Sequence, residues 1–592
     1  MQTQNYQDPA QQGVQLEHET DLVVIGAGVG GMTAALVAAL EGLRVLVLEH
    51  SPVAGGTTAR SSGTVWIPDN PLQHRAGITD DAPKAERYLD ALVGDKAPRA
   101  LRQAFLKAAP RMIAYLEERT DVGFRMYAHA PDYRQEVEGA ALGGRPIEPL
   151  PFDGRTLGKA FDRLGWPLPE LMLFGGMMIT RGEAATLLKV FRSPSALMLA
   201  ARLLLRYLGD RLGWRRGTRL VLGNALAGRL LRNLLDRQVP VWFDAKTVAL
   251  HTDDGVATGL TVQTEGREIK VRASRGVVMA GGGFPASAAL REHHLPQPTA
   301  RHTPAYEGCD GTSLQLALQA GAALGKPGLD NALWFPSSIA TREDGSTAVY
   351  PHIVLDRAKP GLVAVDSSGQ RFVNEAVSYH EFCRAMYRAN AHTPCIPAWL
   401  VCDSAFLWKY GLGMIRPMTP LLGRYLRGGY LKRAGSIASL ARKIGVDPVG
   451  LAHTVAVNNQ NASTGVDPQF GRGGNPYDRG NGDPEHGPNP CLGPIARGPF
   501  YAVAVVPTPL GTSLGLQTDA SARVLNASGQ VIRGLYACGN DMHSAMGGEY
   551  PGAGAQIGQA MAFGYLAALD AAGTAATAAT ERNPFVREMS PA

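Results

Sequence analysis

A glycine-rich turn near the start of the chain restricts the fold more than any other feature of this sequence. Residues 22–25 are apolar, and Gly26-x-Gly28-x-x-Gly31 follows them and opens an alanine-rich helical stretch. A second apolar run then ends in an acidic residue, Glu49. This order of strand, glycine turn, helix, strand and acid predicts a βαβ unit.

The three glycines and the acid match the requirements of a dinucleotide site. The first glycine permits a tight turn, the second lets backbone approach a pyrophosphate, and the third lets the helix pack on the strand. The pyrophosphate then lies at the positive end of the helix dipole. Glu49, eighteen residues after Gly31, is placed to accept hydrogen bonds from a ribose. The unit therefore predicts a bound dinucleotide.

Length and composition narrow the class of protein. The 592 residues are 45% hydrophobic and 19% charged, which is ordinary globular usage, and they allow about four domain-sized units or two large ones. Glycine is enriched, with 70 residues. Because these glycines follow no fixed period, repeat architectures are excluded. They cluster at 26–31, 55–63, 281–283 and 547–558, which suggests one ligand contacted by distant segments.

The cysteines and the N-terminal segment indicate a cellular compartment. Six cysteines without a C-x-x-C pair predict neither a disulfide scaffold nor a zinc site, so we expect no metal ligands. Met1–Thr20 is polar and acidic and lacks the apolar core of a secretory signal. We therefore expect a cytoplasmic protein.

The net charge of +6 comes from one basic region of the chain. Residues 189–237 contain eleven Lys or Arg against two Asp, a local net charge of +9, so the remainder is slightly acidic and we expect no nucleic-acid partner. Arg202 and Arg206 interrupt its apolar runs on one helical face, so the segment is not suited to span a bilayer. Two interpretations stay open: a solvated helical face, or an amphipathic helix lying peripherally on the inner membrane face.

The predicted secondary structure changes several times along the chain. Residues from about 82 to 235 are mainly helical, and residues 239–279 alternate as strands around a hairpin turn at Asp253-Asp-Gly. Residues 465–499 hold sixteen Gly or Pro in thirty-five positions, which predicts a long loop without regular elements. Strands resume at 500, and a last helix is expected over Ala555 to Leu569.

Two further segments identify the dinucleotide. Gly55-Gly-Thr-Thr-Ala-Arg-Ser-Ser-Gly63 and Gly534-Leu-Tyr-Ala-Cys-Gly-Asn-Asp541 resemble the secondary flavin-contact segments of FAD-dependent oxidoreductases. An NAD site would need neither, so we expect FAD. The overall layout resembles the fumarate reductase and succinate dehydrogenase flavoprotein superfamily. Some members attach FAD through a His near the first flavin loop; residues 59–64 contain none, so we expect non-covalent FAD.

The resemblance implies an α/β fold in which a split Rossmann-like FAD-binding domain holds an inserted α+β substrate (catalytic) domain. We expect the first part of the FAD-binding domain at 18–290, with a helical insertion at about 82–238. The substrate domain is expected at 291–499. The second part of the FAD-binding domain, with the C-terminal helix, is expected at 500–575.

The expected FAD-binding residues lie in the glycine turn, in the flavin segments or next to the ends of strands. They are Gly26, Gly28, Gly30, Gly31, Glu49, Gly55, Gly56, Thr57, Thr58, Ser61, Ser62, Gly63, Val248, Ala280, Gly281, Gly282, Gly539, Asn540, Ala555 and Ile557.

The glycine stretch at 547–555 indicates the type of substrate. Dicarboxylate-binding members of the superfamily show an Arg-containing segment here, whereas this chain has Tyr550. A phenol argues for a neutral carbonyl over a carboxylate. The Tyr550 hydroxyl and the Gly554 N–H, at the opening of the last helix, are expected to converge on one oxygen as an oxyanion hole.

Three tyrosine segments resemble those of the 3-ketosteroid Δ1-dehydrogenase family: Pro131-Asp-Tyr133, Arg371-Phe-Val-Asn-Glu-Ala-Val-Ser-Tyr379 and Tyr550-Pro-Gly-Ala-Gly554. The similarity extends over nearly the whole chain. It implies that Tyr550 and Gly554 hold the ketone oxygen, that Tyr379 is the general base and that Tyr133 assists it. The implied reaction is FAD-dependent 1,2-desaturation of a 3-ketosteroid in steroid catabolism, with electrons passing to an external acceptor.

Two departures from the family pattern leave the substrate open. Glu549 precedes Tyr550, and Arg134 follows Tyr133, so a carboxylated steroid, a larger sterol or another cyclic ketone remains an alternative. A 3-ketosteroid 4,5-desaturase is a second alternative. A third is an electron-transfer flavoprotein subunit of a membrane-associated complex, which would need an Fe–S or haem partner because this chain has no cysteine cluster.

Overall fold

A computed structural model describes residues 17–187, 189–190, 193–353 and 355–574. Most of the Met1–Thr20 segment, residues 191–192 of the basic segment and the last residue of the expected domain 500–575 lie outside the described residues. In the described residues both strands and helices are present throughout, so the α/β class is confirmed.

The strands are β1 Glu17–Ile25, β2 Val45–Leu48, β3 Val65–Trp66, β4 Phe124–Met126, β5 Pro146–Pro149, β6 Phe152–Asp153, β7 Arg219–Leu220, β8 Val241–Trp242, β9 Lys246–Asp253, β10 Val256–Thr264, β11 Arg267–Met279, β12 Ala332–Thr341, β13 Thr347–Pro351, β14 Leu362–Val365, β15 Ala398–Asp403, β16 Lys432–Ala434, β17 Phe500–Thr512, β18 Arg523–Leu525 and β19 Val531–Ala537.

The α-helices are α1 Val29–Leu40, α2 Gly56–Arg60, α3 Pro71–Arg75, α4 Ala82–Val93, α5 Arg99–Arg119, α6 Arg181–Leu187, α7 Pro194–Asp210, α8 Leu222–Asp236, α9 Ala288–His294, α10 Thr312–Gln319, α11 Tyr379–Asn390, α12 Ser404–Tyr410, α13 Gly423–Arg427, α14 Ile437–Ile444, α15 Pro448–Thr464, α16 Pro476–Asn481 and α17 Ala555–Ala572.

The larger sheet has the order β18-β19-β10-β11-β1-β2-β8, with β9 paired to β10. The predicted βαβ unit is confirmed, since β1 and β2 are parallel and α1 connects them. The predicted hairpin is confirmed as well, because β9 and β10 pair antiparallel around residues 253–256. The first half of β11 pairs antiparallel with β10, and its second half pairs parallel with β19.

This arrangement brings four strand ends to one edge of the sheet. Ile25 pairs with Leu48 on one side and with Met279 on the other, and Met279 pairs with Ala537. All four are the last residues of parallel strands, and ligands of open α/β sheets bind outside such carboxyl ends. The turns that follow these strands therefore meet at a single site.

The second sheet is antiparallel, in the order β13-β12-β17-β15-β14, with β16 paired to β17. Its central strand is Phe500–Thr512, which pairs with β12 and β15. The domain prediction places residues 500–575 in the second part of the FAD-binding domain, and β17 pairs within this antiparallel sheet. We infer that the second part begins after Thr512.

The last helix lies against the first. Glycines permit the close approach: a Cβ on Gly564 would lie 2.6 Å from the carbonyl oxygen of Gly30. The helix was expected over Ala555 to Leu569 and extends to Ala572. Because α1 and α17 begin at the same edge of the sheet, both N-termini point toward the site.

The expected loop at 465–499 contains one regular element, contrary to the prediction. Asn475 accepts a hydrogen bond from the backbone of Asp478 at 2.9 Å and caps α16, and Pro476 occupies its first position. Proline is tolerated there because the first helical N–H has no partner within the helix.

The segment predicted as a helical insertion includes a surface helix, α7, which precedes the largely buried helix α8. Leu203 and Tyr207 face inward in a small cluster with Met177, while the outward side carries leucines and arginines. None of the helices in the described parts of the chain is long and apolar enough to cross a membrane.

Candidate active site

The Gly26–Gly31 turn has the shape that a pyrophosphate requires. A Cβ on Gly26, whose φ is +102°, would lie 2.4 Å from the carbonyl oxygen of Ala280, and a Cβ on Gly31 would lie 2.0 Å from that of Gly26. At Gly28 no atom of the described residues lies within 4 Å of such a Cβ, and the N-cap residue itself has no side chain to cap α1. The N-terminus of α1 therefore opens onto free space, as an anion site needs.

Glu49 is held beside this turn. Its Oε2 accepts from the Ala27 N–H at 2.9 Å, and its Oε1 accepts from the Ser51 hydroxyl at 2.6 Å and the Ser51 N–H at 3.1 Å. A carboxylate has about four acceptor positions, so one remains for a ribose hydroxyl. Val248 lies in β9, which starts close by, because the Ala245 N–H donates to the Glu49 carbonyl oxygen at 3.0 Å.

The first flavin loop lies directly against the turn. The Gly55 N–H donates to the Ala27 carbonyl oxygen at 2.8 Å, and the Val29 N–H donates to Thr58 Oγ1 at 3.3 Å. A Cβ on Gly56 would be 3.9 Å from the Cα of Gly28. The remaining expected contacts of this loop follow in the same segment, namely Thr57, Ser61, Ser62 and Gly63.

The other expected FAD-binding residues come from the neighbouring strand ends. The Ala280 N–H donates to the Ile25 carbonyl oxygen at 2.9 Å. Gly281 and Gly282 follow β11, Gly539 and Asn540 begin a 3-10 turn after β19, and Ala555 and Ile557 lie in the first turn of α17. The structure thus places the expected cofactor residues in adjoining segments around one edge of the sheet.

Asp541 is a residue of this region that the sequence interpretation missed. Its buried carboxylate accepts from the Gly281 N–H at 2.7 Å, the Gly283 N–H at 2.8 Å and the Ser313 hydroxyl at 2.6 Å. It therefore ties the turn after β11 to the turn after β19. An acid directly after the Gly-Asn of the second flavin segment was the available signal.

The three expected catalytic tyrosines form one cluster. Tyr133 Oη donates to Tyr379 Oη at 3.0 Å. The ring centroids of Tyr133, Tyr379 and Tyr550 lie 5.4 to 5.6 Å apart in all three pairs. Two further rings belong to the cluster, and no sequence motif predicted them. The Tyr477 ring centroid lies 5.0 Å from that of Tyr133, and the Phe335 ring centroid lies 4.5 Å from that of Tyr379.

Burial determines the protonation of these phenols. It raises the pKa of Tyr379 well above its ordinary value. Burial likewise raises the pKa of Tyr133, and that of Tyr550 to about 12. All three are neutral at pH 7, so Tyr550 is a hydrogen-bond donor over the whole physiological range.

Gly554 satisfies the requirements of an exposed backbone donor. It has φ +93° at the N-cap of α17, and a Cβ would lie 2.1 Å from the Thr64 carbonyl oxygen. Within the described residues its N–H donates to no other protein group. Only glycine fits this position, and the free N–H at a helix N-terminus is a natural donor to a negative oxygen.

Buried contacts hold Tyr133 and the Tyr550 segment together. The Tyr133 N–H and the Tyr88 hydroxyl both donate to the Pro551 carbonyl oxygen, at 2.9 and 2.7 Å. Asp132 accepts from Arg145 at 2.7 Å and from Trp66 Nε1 at 2.8 Å. The loop that carries Tyr133 is therefore fixed on both sides of the tyrosine.

Comparison with known proteins identifies the class of molecule that this fold and site define. Residues 21–557 match the FAD binding domain family. The chain is 35% identical to the 3-oxosteroid 1-dehydrogenase of Mycolicibacterium smegmatis, over 94% of this chain and 98% of that one. It is 36% identical to the 4-oxocyclohex-2-ene-1-carboxylate 5-dehydrogenase of Sinomonas cyclohexanicum, over 93% of each chain.

A solved structure agrees with these relatives. The 3-ketosteroid Δ1-dehydrogenase of Sterolibacterium denitrificans, in complex with 1,4-androstadiene-3,17-dione, superimposes with a TM-score of 0.88 at 37% identity, covering 94% of this chain and all of that one. The chain therefore belongs to the 3-ketosteroid Δ1-dehydrogenase family, within the fumarate reductase and succinate dehydrogenase flavoprotein superfamily. It is an FAD-dependent oxidoreductase acting on CH–CH groups.

Proposed function

We propose that this enzyme introduces a double bond between carbons 1 and 2 of a 3-ketosteroid, in the breakdown of steroids. The observation that carries the proposal is the tyrosine cluster, in which a phenol pair and a neutral phenol donor converge next to the opening of α17. The relatives named for 3-oxosteroids support the substrate class.

The proposed mechanism begins with the ketone oxygen. Tyr550 and the Gly554 N–H donate hydrogen bonds to it and stabilise the negative charge that develops there. The α-proton of the substrate thereby becomes more acidic. Tyr379 first releases its own proton to solvent and then accepts the α-proton as the phenolate. Tyr133, which donates to the Tyr379 oxygen at 3.0 Å, stabilises that phenolate.

The second hydrogen leaves the β-carbon as hydride, and bound FAD supplies the acceptor for it. The pyrophosphate turn, Glu49 and the loop from Gly55 to Gly63 would hold FAD, which we expect to be non-covalent. The substrate thus loses a proton to Tyr379 and two electrons with the hydride, so turnover would also need an external electron acceptor.

Anaerobic flavin reduction tests this function. Adding 4-androstene-3,17-dione or cholest-4-en-3-one to the FAD-loaded enzyme is expected to bleach the flavin band and yield the 1,4-diene product. Absence of bleaching with every 3-ketosteroid tried would contradict the proposal. 5α-Androstane-3,17-dione, which is saturated at carbons 4 and 5, separates the alternatives: a product with the new double bond between those carbons would support the 4,5-desaturase instead.

Arg181 favours a second substrate class, a cyclic ketone that carries a carboxylate. Its Nη2 donates to Thr64 Oγ1 at 3.4 Å, its guanidinium lies 4.9 Å from the Tyr127 ring, and its side chain is 34% exposed. Guanidinium is a matched donor for carboxylate, and the Sinomonas relative is named for such a compound. Flavin bleaching by 4-oxocyclohexanecarboxylate, but by no steroid, would favour this class.

We further infer that α7 and the residues after it rest on an anionic membrane surface, where water-insoluble sterols are collected. The outward apolar side chains lie beside exposed Arg202, Arg206 and Arg211. Apolar clusters of this kind are uncommon on a surface that faces only water. The exposed fractions are 59% for Leu197, 73% for Met198, 38% for Leu204, 70% for Leu205, 53% for Leu208 and 92% for Leu212.

Liposome sedimentation tests the membrane contact. Binding to phosphatidylserine-containing vesicles is expected to fall as salt rises, because the arginines contribute electrostatically. Leu205→Glu with Leu208→Glu should abolish it and leave the turnover of a soluble steroid unchanged. Salt-independent binding, absent binding, or self-association through this helix in sedimentation velocity would contradict the inference.

A further inference from the structure

A buried set of charges lies behind the tyrosine cluster, centred on Arg384. This arginine is on α11, five positions after Tyr379, and its side chain is 7% exposed. Its Nη1 donates to Glu549 Oε2 at 2.8 Å and to Glu381 Oε1 at 3.0 Å, and its Nε donates to Asp330 Oδ2 at 2.8 Å. One guanidinium therefore joins three carboxylates from three separate segments.

Members of this set are sequence neighbours of all three tyrosines. Arg134 Nη1 lies 3.9 Å from Glu381 Oε1, so the arginine after Tyr133 also reaches the set. The adjacent pairs are Arg134 directly after Tyr133, Glu381 two positions after Tyr379, and Glu549 directly before Tyr550. Each tyrosine is thus within two residues of a charge in the same network.

Two more contacts complete the network. Arg384 Nη2 donates to the Gly548 carbonyl oxygen at 3.1 Å, and Lys96 Nζ donates to Glu549 Oε1 at 2.8 Å. Asp330 lies just before β12, the strand that carries Phe335 against Tyr379. We call this set, comprising Lys96, Arg134, Asp330, Glu381, Arg384 and Glu549, the tyrosine clamp.

The clamp contains three cations and three carboxylates, and Arg134 Nε also donates to Glu136 Oε1 at its outer side. Burial raises the pKa of Glu549, but Arg384 and Lys96 outweigh burial, so its pKa is lowered overall. Burial also opposes the charge of Arg384, yet the surrounding carboxylates raise its pKa. Both groups are charged at neutral pH, and neither faces the substrate as a free charge.

We propose that Arg384 is a positioning residue that fixes the base Tyr379 relative to the ketone donor Tyr550. The inference rests on the proposed function, which gives those tyrosines their roles. Proton abstraction and carbonyl polarisation act on adjacent substrate atoms, so the two phenols must keep one spacing, and a misplacement of about 1 Å can cost about 10²-fold in rate. Membership of the clamp also gives Glu549 and Arg134 a structural role, which accounts for these two departures from the family pattern.

Replacement of Arg384 in the FAD-loaded enzyme tests this role. In Arg384→Met, single-turnover flavin reduction by 4-androstene-3,17-dione is expected to slow by about 10²-fold. The Kd for the steroid, from titration of the flavin spectrum, should stay near the wild-type value because the ketone donors remain. Arg384→Lys should recover part of the rate, since an ammonium keeps the charge without the fork of donors.

Arg342→Met is the matched control. Arg342 pairs with Glu170 at 2.6 Å, outside the tyrosine segments, so this variant should lose stability and keep the wild-type rate. Equal slowing in both variants, or a wild-type rate in Arg384→Met, would overturn the inference.

If Arg384→Met does not fold, Glu549→Gln is the second test. It removes one charge at nearly constant shape and should slow the same step, and an unchanged rate in that variant also overturns the inference. Wild-type enzyme that no ketone reduces would show instead that the proposed function is wrong.

Discussion

The phenol oxygens of Tyr133 and Tyr379 lie 3.0 Å apart, although 246 positions separate the two residues in the chain. Tyr133 lies in the segment between β4 and β5, and Tyr379 opens α11. The hydrogen bond therefore joins two distant segments of the chain within the tyrosine cluster. A pair this close titrates as one unit, so a change at either phenol alters the proton affinity of both.

Tyr379→Phe is expected to abolish turnover and leave bound FAD unchanged. The substitution removes the only atom able to take the α-proton in the proposed mechanism, and loss of a general base costs about 10²–10⁴-fold. Anaerobic single-turnover reduction measures the rate, and the flavin-to-protein absorbance ratio measures the cofactor. Retained reduction at the wild-type rate would remove Tyr379 from the role of base.

Tyr430→Phe is the matched control for that variant. The Tyr430 hydroxyl is also buried and hydrogen-bonded, to Ser338 at 2.7 Å and to the Met414 N–H at 2.9 Å, but it lies outside the tyrosine cluster. Its loss should cost about 1–3 kcal/mol of stability with no change in the reduction rate.

The reduction rate is expected to rise with pH. Because burial raises the pKa of Tyr379, most of it is protonated at pH 7, and the fraction able to accept a proton grows as pH increases. Tyr550, with its pKa raised to about 12, keeps its donor proton meanwhile. A pH–rate profile that is flat or falls between about pH 7 and 10 would contradict this assignment.

Tyr133→Phe should move the same profile. The variant loses the hydrogen bond that Tyr133 donates to the Tyr379 oxygen, and a hydrogen bond to the charged form lowers a pKa. The rising limb is therefore expected at higher pH than in the wild type. An unshifted limb would mean that Tyr133 does not act on the base.

Gly554→Ala is expected to impair both stability and rate. The residue has φ +93°, and the new Cβ would meet the Thr64 carbonyl oxygen at 2.1 Å; strain of this kind costs about 1–3 kcal/mol. Displacing the N–H from the ketone oxygen should lower the reduction rate by about 10²–10³-fold. Thermal unfolding and single-turnover kinetics measure the two effects.

Gly573→Ala separates the backbone strain from the lost donor. Gly573 ends the same helix with φ +78°, and no atom of residues 17–574 that the structure describes lies within 4 Å of its Cβ position. This variant should lose about 1 kcal/mol and keep its activity. If Gly554→Ala and Gly573→Ala have equal rates, Gly554 is not an oxyanion donor.

The cofactor is expected to leave the denatured protein completely. The first flavin loop has no His for a covalent bond, so acid precipitation should transfer all flavin absorbance to the supernatant. A yellow pellet, or a fluorescent protein band on a denaturing gel, would show covalent attachment.

Local features were predictable from the sequence. The Gly26–Gly31 turn, the hairpin near Asp253 and the start of the last helix each depend on neighbouring residues, and the structure confirms all three. The strand at 500–512 was predicted as a strand, but its sheet was not, because an apolar alternating run suits either sheet equally.

The partners of the charged residues could not be predicted in this way. Glu549 and Arg134 looked like substrate-facing departures from a family pattern, whereas Glu549 pairs with Arg384, 165 positions away. Sequence spacing carries no signal for such pairs, since tertiary packing alone decides which charges meet. Tyr477 and Phe335 were missed for the same reason.

The pairing of β19 with the second half of β11 has a consequence for synthesis of the chain. All strands of the second, antiparallel sheet have been synthesised once the chain reaches Thr512. At that point the larger sheet still lacks β18 and β19, and α17 follows later. Until then the edge of β11 at residues 277–279 is unpaired, and such edges invite wrong pairing. On the ribosome, the antiparallel sheet can therefore form first, whereas the larger sheet and the segment of Tyr550 and Gly554 are completed only when nearly the whole polypeptide has emerged.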